Sequence, residues 1–241
     1  HRYLNIKKED PKWEDRDRFI LSKGHAGIAY APVLCDFGYN DPEQLKTFNL
    51  TNSKMGIHLD SNKVAGVDAS TGSLGHGIPI AAGTAIAARV LGKDYYTYVV
   101  TGDGELDEGS NWEGLMTIRH YNLTNCITIV DRNHCMIDGN TEDVMKLEPL
   151  ADKFVAFGFH TIVCEGNNIV SLCKAIDEAH KTKDKPTVIV ADTIKGVGIK
   201  LTSGNYKWHY GAIDEEMAKV AAKDLDEYSA ERIARCGKEF E

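Results

Sequence analysis

The chain has 241 residues, 42% of them hydrophobic, which suits one large α/β domain or two small ones. A formal charge of −8 argues against a general nucleic-acid or anionic-membrane partner, and no apolar run is long enough to span a bilayer. Cys35, Cys126, Cys135, Cys164, Cys173 and Cys236 show neither CxxC pairing nor zinc spacing, so they read as reduced thiols of a cytoplasmic protein.

In chain order, the sequence opens on His1 and not Met, which leaves room for a preceding segment. Residues 17–25 (DRFILSKGH) carry a short apolar run into Ser22-Lys23-Gly24-His25. Residues 69–77 (ASTGSLGHG) form a glycine-rich loop that leads into an Ala-rich helix over 78–91. Strands are predicted at 95–101, 127–130, 161–164 and 187–191, alternating with helices at 107–121 and 169–180. Residues 183–186 make a turn before the last strand, and a C-terminal helix follows over 214–235 with Asp214 as its N-cap. Such alternation implies an α/β fold, a mostly parallel sheet with helices on both faces. No internal repeat or linker divides it, so 1–241 reads as a single domain.

The chemistry concentrates where the strand over 95–101 ends, at Gly102-Asp103-Gly104. Two glycines let the backbone approach a phosphate, and free N–H groups at the start of the next helix attract an anion. The next strand delivers Asp131-Arg132-Asn133 to the neighbouring strand end. A carboxylate from Asp103, an amide carbonyl from Asn133 and diphosphate oxygens are hard ligands, suited to Mg²⁺ or Ca²⁺ and not to zinc. An EF-hand loop started at Asp103 fails, because its sixth position is Glu108 and its twelfth is Gly114. A dinucleotide fingerprint fails because neither Gly102-Gly104 nor Gly196-Gly198 continues to a third glycine.

This arrangement resembles the thiamine-diphosphate motif, and in particular the transketolase family. The resemblance runs from about Lys12 to Gly211 and includes residues 17–25 and 69–77 in the family's order. It implies a thiamine-diphosphate-binding fold of the PP type, with Asp103, Asn133 and the backbone carbonyl of Cys135 on the metal. It implies that His25 faces the diphosphate, that Gly102 and Gly104 border it, and that Gly72 and Leu74 contact the aminopyrimidine end. His58 is implied near the first carbons of the sugar, and His209 between substrate and diphosphate. Glu108 is implied to turn inward near the cofactor and Glu113 to stand at a subunit contact. His76 and His134 flank motif residues, while His1, His120, His160 and His180 are given no functional role.

The family's second domain supplies a glutamate and an aromatic residue to the aminopyrimidine, and this sequence ends before any such domain. The resemblance therefore implies the N-terminal subunit of a split transketolase, completed by a C-terminal subunit in an α₂β₂ assembly. Its implied reaction moves a two-carbon ketol unit from a ketose phosphate to an aldose phosphate. The family's common Gly-His-Pro is here Gly56-Ile57-His58-Leu59, and its His-Gly is here His209-Tyr210-Gly211. Both departures lie toward the substrate, which leaves room for a specialised sugar such as a sulfonated ketose phosphate or apulose phosphate. The rivals are the α subunit of a 2-oxo-acid dehydrogenase and a noncatalytic regulatory subunit of the same fold.

Overall fold

Five runs rich in β-branched and aromatic residues pair into one sheet: β1 (Arg18–Leu21), β2 (Thr97–Gly102), β3 (Cys126–Arg132), β4 (His160–Glu165) and β5 (Thr187–Asp192). Every neighbouring pair is parallel, in the order β1-β2-β3-β5-β4. The computed structural model describes residues 2–236, with side chains to residue 234; the expectations for His1 and for the Cys236 thiol fall outside it.

Parallel strands need crossovers, and the helices supply them: α1 (Gly27–Phe37), α2 (Gly77–Val90), α3 (Gly109–His120), α4 (Thr141–Val144), α5 (Leu150–Ala156), α6 (Ile169–Lys181) and α7 (Glu215–Cys236). Because successive strand side chains point to opposite faces, the sheet buries both of them. Val99, Val130, Val188 and Val190 pack with Ile78 and Ala82 of α2, Leu115 of α3 and Phe154 of α5. Tyr98, Ile127 and Ile189 pack the other way, onto Ala175 and Ala179 of α6. The expected architecture is therefore present. A satellite cluster gathers Ala31 and Leu34 of α1 with Met55, Leu59 and Val64.

Several boundaries differ from the sequence expectation for local reasons. β1 is an edge strand of four residues inside a segment that carried a motif but no strand assignment. The helix expected over 107–121 is split: Gly104–Asp107 form a 3₁₀ turn, Glu108 is extended (ψ 121°), and α3 starts at Gly109. Asp214 does cap α7, its Oδ1 accepting the Met217 N–H at 2.8 Å. Cys35, Cys126, Cys135, Cys164 and Cys173 are free. Among the described residues no helix is long and apolar enough to cross a membrane.

Register aligns the carboxyl ends of the inner strands. Gly102 of β2 stands opposite Asp131 of β3, and Arg132 of β3 opposite Asp192 of β5. The Ser22 N–H, just past β1, donates to Val100 O at 2.8 Å. Whatever follows these four strands emerges on one edge of the sheet, where open α/β folds bind ligands.

Candidate cofactor and metal site

A cavity of about 630 Å³ opens at that edge. Asp103 and Gly104 enter it from β2, Asn133 and Cys135 from β3, and Lys23 and His25 from the segment after β1. Gly72, Leu74 and His58 also line it, as do Lys195 and His209. Sequence segments more than 180 residues apart thus converge on one cavity.

Asp103 is 1% exposed and firmly held. Its Oδ1 accepts the Gly104 N–H at 2.8 Å; its Oδ2 accepts the His134 N–H at 2.7 Å and Arg132 Nη1 at 3.0 Å. Burial pushes its carboxyl pKa up, against the opposing pull of Gly104, Arg132 and His134. Arg132 is itself buried and braces the floor of the site, reaching Thr141 Oγ1 at 2.6 Å, Glu142 at 2.8 Å and Glu148 at 3.0 Å. Asn133 is oriented by two bonds: its Nδ2 donates to Asp131 Oδ2 at 3.1 Å, and its Oδ1 accepts the Cys135 N–H at 3.1 Å.

Cations gather beside these ligands. Lys23 pairs with Asp131, which Thr193 also bonds; burial acts to raise the Asp131 pKa, yet Lys23, Thr193 and Asn133 hold it below the usual carboxylate range. Lys195 approaches His209 Nδ1 at 3.3 Å, and burial together with Lys23 lowers its pKa. The rings of His25 and His209 lie 5.0 Å apart. Burial lowers the His25 pKa to about 4, assisted by His209, Lys23, Lys195 and His58. His209 is lowered too, first by burial and then by Lys195 and Lys23. Desolvation and neighbouring cations make His25 a neutral imidazole at physiological pH.

All the residues implied for the cofactor, metal and sugar line this cavity except Glu108. Glu108 is exposed, with its Cβ next to Gly75, and its backbone makes the N-cap position of α3; Glu113 is exposed as well. Gly72 allows a close approach, since a Cβ there would sit 3.0 Å from the His58 ring. Sequence reasoning missed Lys195, Lys23, Arg132 and Glu105. Lys23 lies within the 17–25 motif, and Lys195 follows a predicted strand in a glycine-flanked loop, a signal that could have found it.

The residues present fit a metal-bound diphosphate. Among the described residues no group of three or more His, Cys, Asp or Glu converges on a metal position. One carboxylate, one amide and one carbonyl form a hard but sparse set, which needs phosphate oxygens to complete it. Lys195, half-buried, lowered in pKa by burial and by Lys23, and without an ion-pair partner among the described residues, stands ready for an anion.

A parallel sheet with this strand-end clamp defines a thiamine-diphosphate-binding α/β protein. The family model "Transketolase, thiamine diphosphate binding domain" matches residues 1–230, and the chain belongs to the transketolase family. It is 39% identical over 226 residues to an apulose-4-phosphate transketolase subunit of Actinobacillus succinogenes, covering 92% of this chain and 82% of that one. It is 37% identical over 229 residues to the 6-deoxy-6-sulfo-D-fructose transketolase subunit SqwG of a Clostridium species, covering 95% and 83%. Among solved structures, Campylobacter jejuni transketolase superposes with a TM-score of 0.88 at 31% identity, covering 92% of this chain and 36% of that one. These relatives are transketolases, which disfavours the 2-oxo-acid dehydrogenase alternative.

Proposed function

We propose that this chain is the diphosphate-binding subunit of a two-subunit transketolase, its fold forming one domain and a separate C-terminal subunit completing each site in an α₂β₂ assembly. The observation that carries the reading is the convergence of Asp103, Asn133, Lys195, His25 and His209 in one cavity at the sheet's carboxyl edge. The similarity along more than four-fifths of two relatives named as transketolase subunits supports it. Free cysteines and sugar-phosphate chemistry support a cytoplasmic setting.

In this reading Asp103, Asn133 and the Cys135 carbonyl hold Mg²⁺ or Ca²⁺ against the diphosphate, and Gly102, Gly104, Lys195, His25 and His209 border the phosphates. Gly72 and Leu74 face the aminopyrimidine end. Bound thiamine diphosphate supplies a nucleophilic carbon able to cleave a ketose beside its carbonyl. The neutral imidazole of His25 can donate one hydrogen bond and accept another, so it orients sugar hydroxyls and relays their protons. His58 and His209, which line the same cavity, contribute in the same way. The substrate is a ketose phosphate or its sulfonated analogue, and the Ile57 and Tyr210 departures fall on the cavity lining that would meet it.

Native mass spectrometry of the protein isolated from its source tests the assembly, and a two-carbon transfer assay with apulose 4-phosphate, sulfofructose and xylulose 5-phosphate tests the activity. A complex of two polypeptides with thiamine diphosphate and one divalent ion per site, transferring from one of these donors, is the expected result. A homo-oligomer that binds no cofactor would refute the proposal.

A further inference from the structure

Glu105 looks like one more acid in an acidic turn, but it is 3% exposed and both its carboxylate oxygens are occupied, Oε1 by groups from distant segments and Oε2 by the end of the preceding strand. Its Oε1 accepts the Gly75 N–H at 2.9 Å and the Ser22 hydroxyl; its Oε2 accepts the Gly102 N–H at 3.1 Å. The Ser22 Oγ in turn accepts the Gly77 N–H at 3.1 Å. One side chain therefore ties the end of β1, the end of β2 and the glycine loop that supplies Gly72 and Leu74. The seat is tight: a Cβ on Gly77 would lie 2.1 Å from Ser22 Oγ, and the Gly75 carbonyl is held from its other side by Ser110 Oγ at 2.8 Å. Asn111 Nδ2 donates to the Glu105 backbone carbonyl at 2.6 Å, which anchors the main chain from which the carboxylate projects.

We propose that Glu105 is a positioning residue for the cofactor: its carboxylate presets the loop over 72–77 against Gly102, so that the aminopyrimidine wall and the diphosphate edge stand at a fixed separation before anything binds. This rests on the assignment of Gly72 and Leu74 to the cofactor. Only a carboxylate satisfies the arrangement, because donors approach both oxygens. In Glu105→Gln one side of the amide would turn an N–H₂ toward the Gly75 or Gly102 donor. The loop would then be ordered at the expense of cofactor binding energy, which weakens affinity without slowing turnover once the cofactor is bound.

The test uses the full chain with its partner subunit. In Glu105→Gln, amide exchange at Gly75 and Gly102 should accelerate, and the apparent constant for thiamine diphosphate should rise about tenfold, as for a buried bond to a charged group. At saturating cofactor kcat should stay within about twofold of the wild type, a split that general destabilisation would not produce. Ser22→Ala removes one of the three donors to the carboxylate but keeps the Gly75 and Gly102 N–H bonds, and it serves if Glu105→Gln folds poorly; it should accelerate exchange at Gly77, leave Gly102 protected, and raise the constant by less. Faster exchange with unchanged cofactor affinity, or a fall in kcat at constant affinity, would overturn the proposal. Wild-type protein that binds no thiamine diphosphate would instead overturn the cofactor assignment and with it the positioning role, while the exchange pattern would still read whether Glu105 holds the loop.

Discussion

Asp103→Asn removes the charge from the clamp while keeping its shape, and the structure sets the size of the effect. Three donors converge on the wild-type carboxylate, from Gly104, His134 and Arg132. An asparagine oxygen placed toward His134 and Arg132 keeps two of them, but its N–H₂ then faces the Gly104 N–H. An unmet buried donor costs about 1–3 kcal/mol, and a fully broken buried ion pair about 3–5 kcal/mol. Arg132 retains Glu142 and Glu148, so the loss belongs near the lower range, about 2 kcal/mol, and the domain should remain folded. Metal-dependent cofactor affinity should fall far more, about a hundredfold, because the one carboxylate in the proposed metal set is gone; that is about 2.8 kcal/mol. Urea unfolding measures the first quantity, and calorimetric titration of thiamine diphosphate with and without Mg²⁺ measures the second. Glu148→Gln is the control, since it touches Arg132 from outside the cavity and should cost stability without changing metal dependence. Wild-type affinity and wild-type Mg²⁺ dependence in Asp103→Asn would refute the metal assignment.

Three further outcomes follow from the cations and histidines. The His25 pKa is about 4 in the folded chain against an ordinary 6.5, so the unfolded chain binds the extra proton; its contribution to stability is present above about pH 6.5 and lost as the pH falls toward 4. The stability gap between wild type and His25→Gln, followed by urea unfolding from pH 7 to pH 4, should therefore shift against the wild type on acidification, and a flat gap would contradict the burial of that imidazole. Lys195→Met relieves a desolvated ammonium beside Lys23, so the melting temperature without cofactor should hold or rise while cofactor affinity falls about tenfold; a melting collapse would make Lys195 structural. Binding of thiamine diphosphate with Mg²⁺ should raise the His25 pKa by bringing negative charge toward the ring, visible as a shift in its titration by NMR, and an unmoved pKa would separate His25 from the diphosphate.

The convergence of Asp103 and Asn133 was legible because they lie in two short runs that each follow an apolar strand, so local pattern carries both identity and position. β1 was not, since four residues between a charged segment and a glycine turn give no periodicity to read. Its strand character comes from pairing with β2, from Arg18 opposite Thr97 to Leu21 opposite Val100. Glu105 and Glu108, three residues apart, show the same limit from the other side. Both are acids in one turn, yet the 3₁₀ geometry over Gly104–Asp107 turns Glu105 to Ser22, 83 residues away, while extended Glu108 remains exposed. Which acid enters the site is fixed by the turn and by long-range donors, and neither is written in the turn's own composition.

The net charge of −8 and an anionic cofactor are reconciled at short range. Around the cavity the charges are arranged in pairs, Asp103 with Arg132 and Asp131 with Lys23, which cancel within the fold. Lys195 has no such partner: no ion pair to it exists among the described residues, and its neighbour is the His209 ring. Lys195 is therefore the half-buried ammonium left outside these pairs, in a lining that also holds Glu105, Asp107 and Asp138, and the cation proposed for Asp103 and Asn133 would offset those carboxylates in a cavity where desolvation strengthens each contact. Carboxylates elsewhere on the surface are screened over about 8 Å at physiological salt, whereas groups inside the cavity are screened much less. An acidic chain can thus repel polyanions at large and still bind one diphosphate tightly. The same argument makes added salt a weak lever on cofactor affinity, weaker than loss of Lys195 alone.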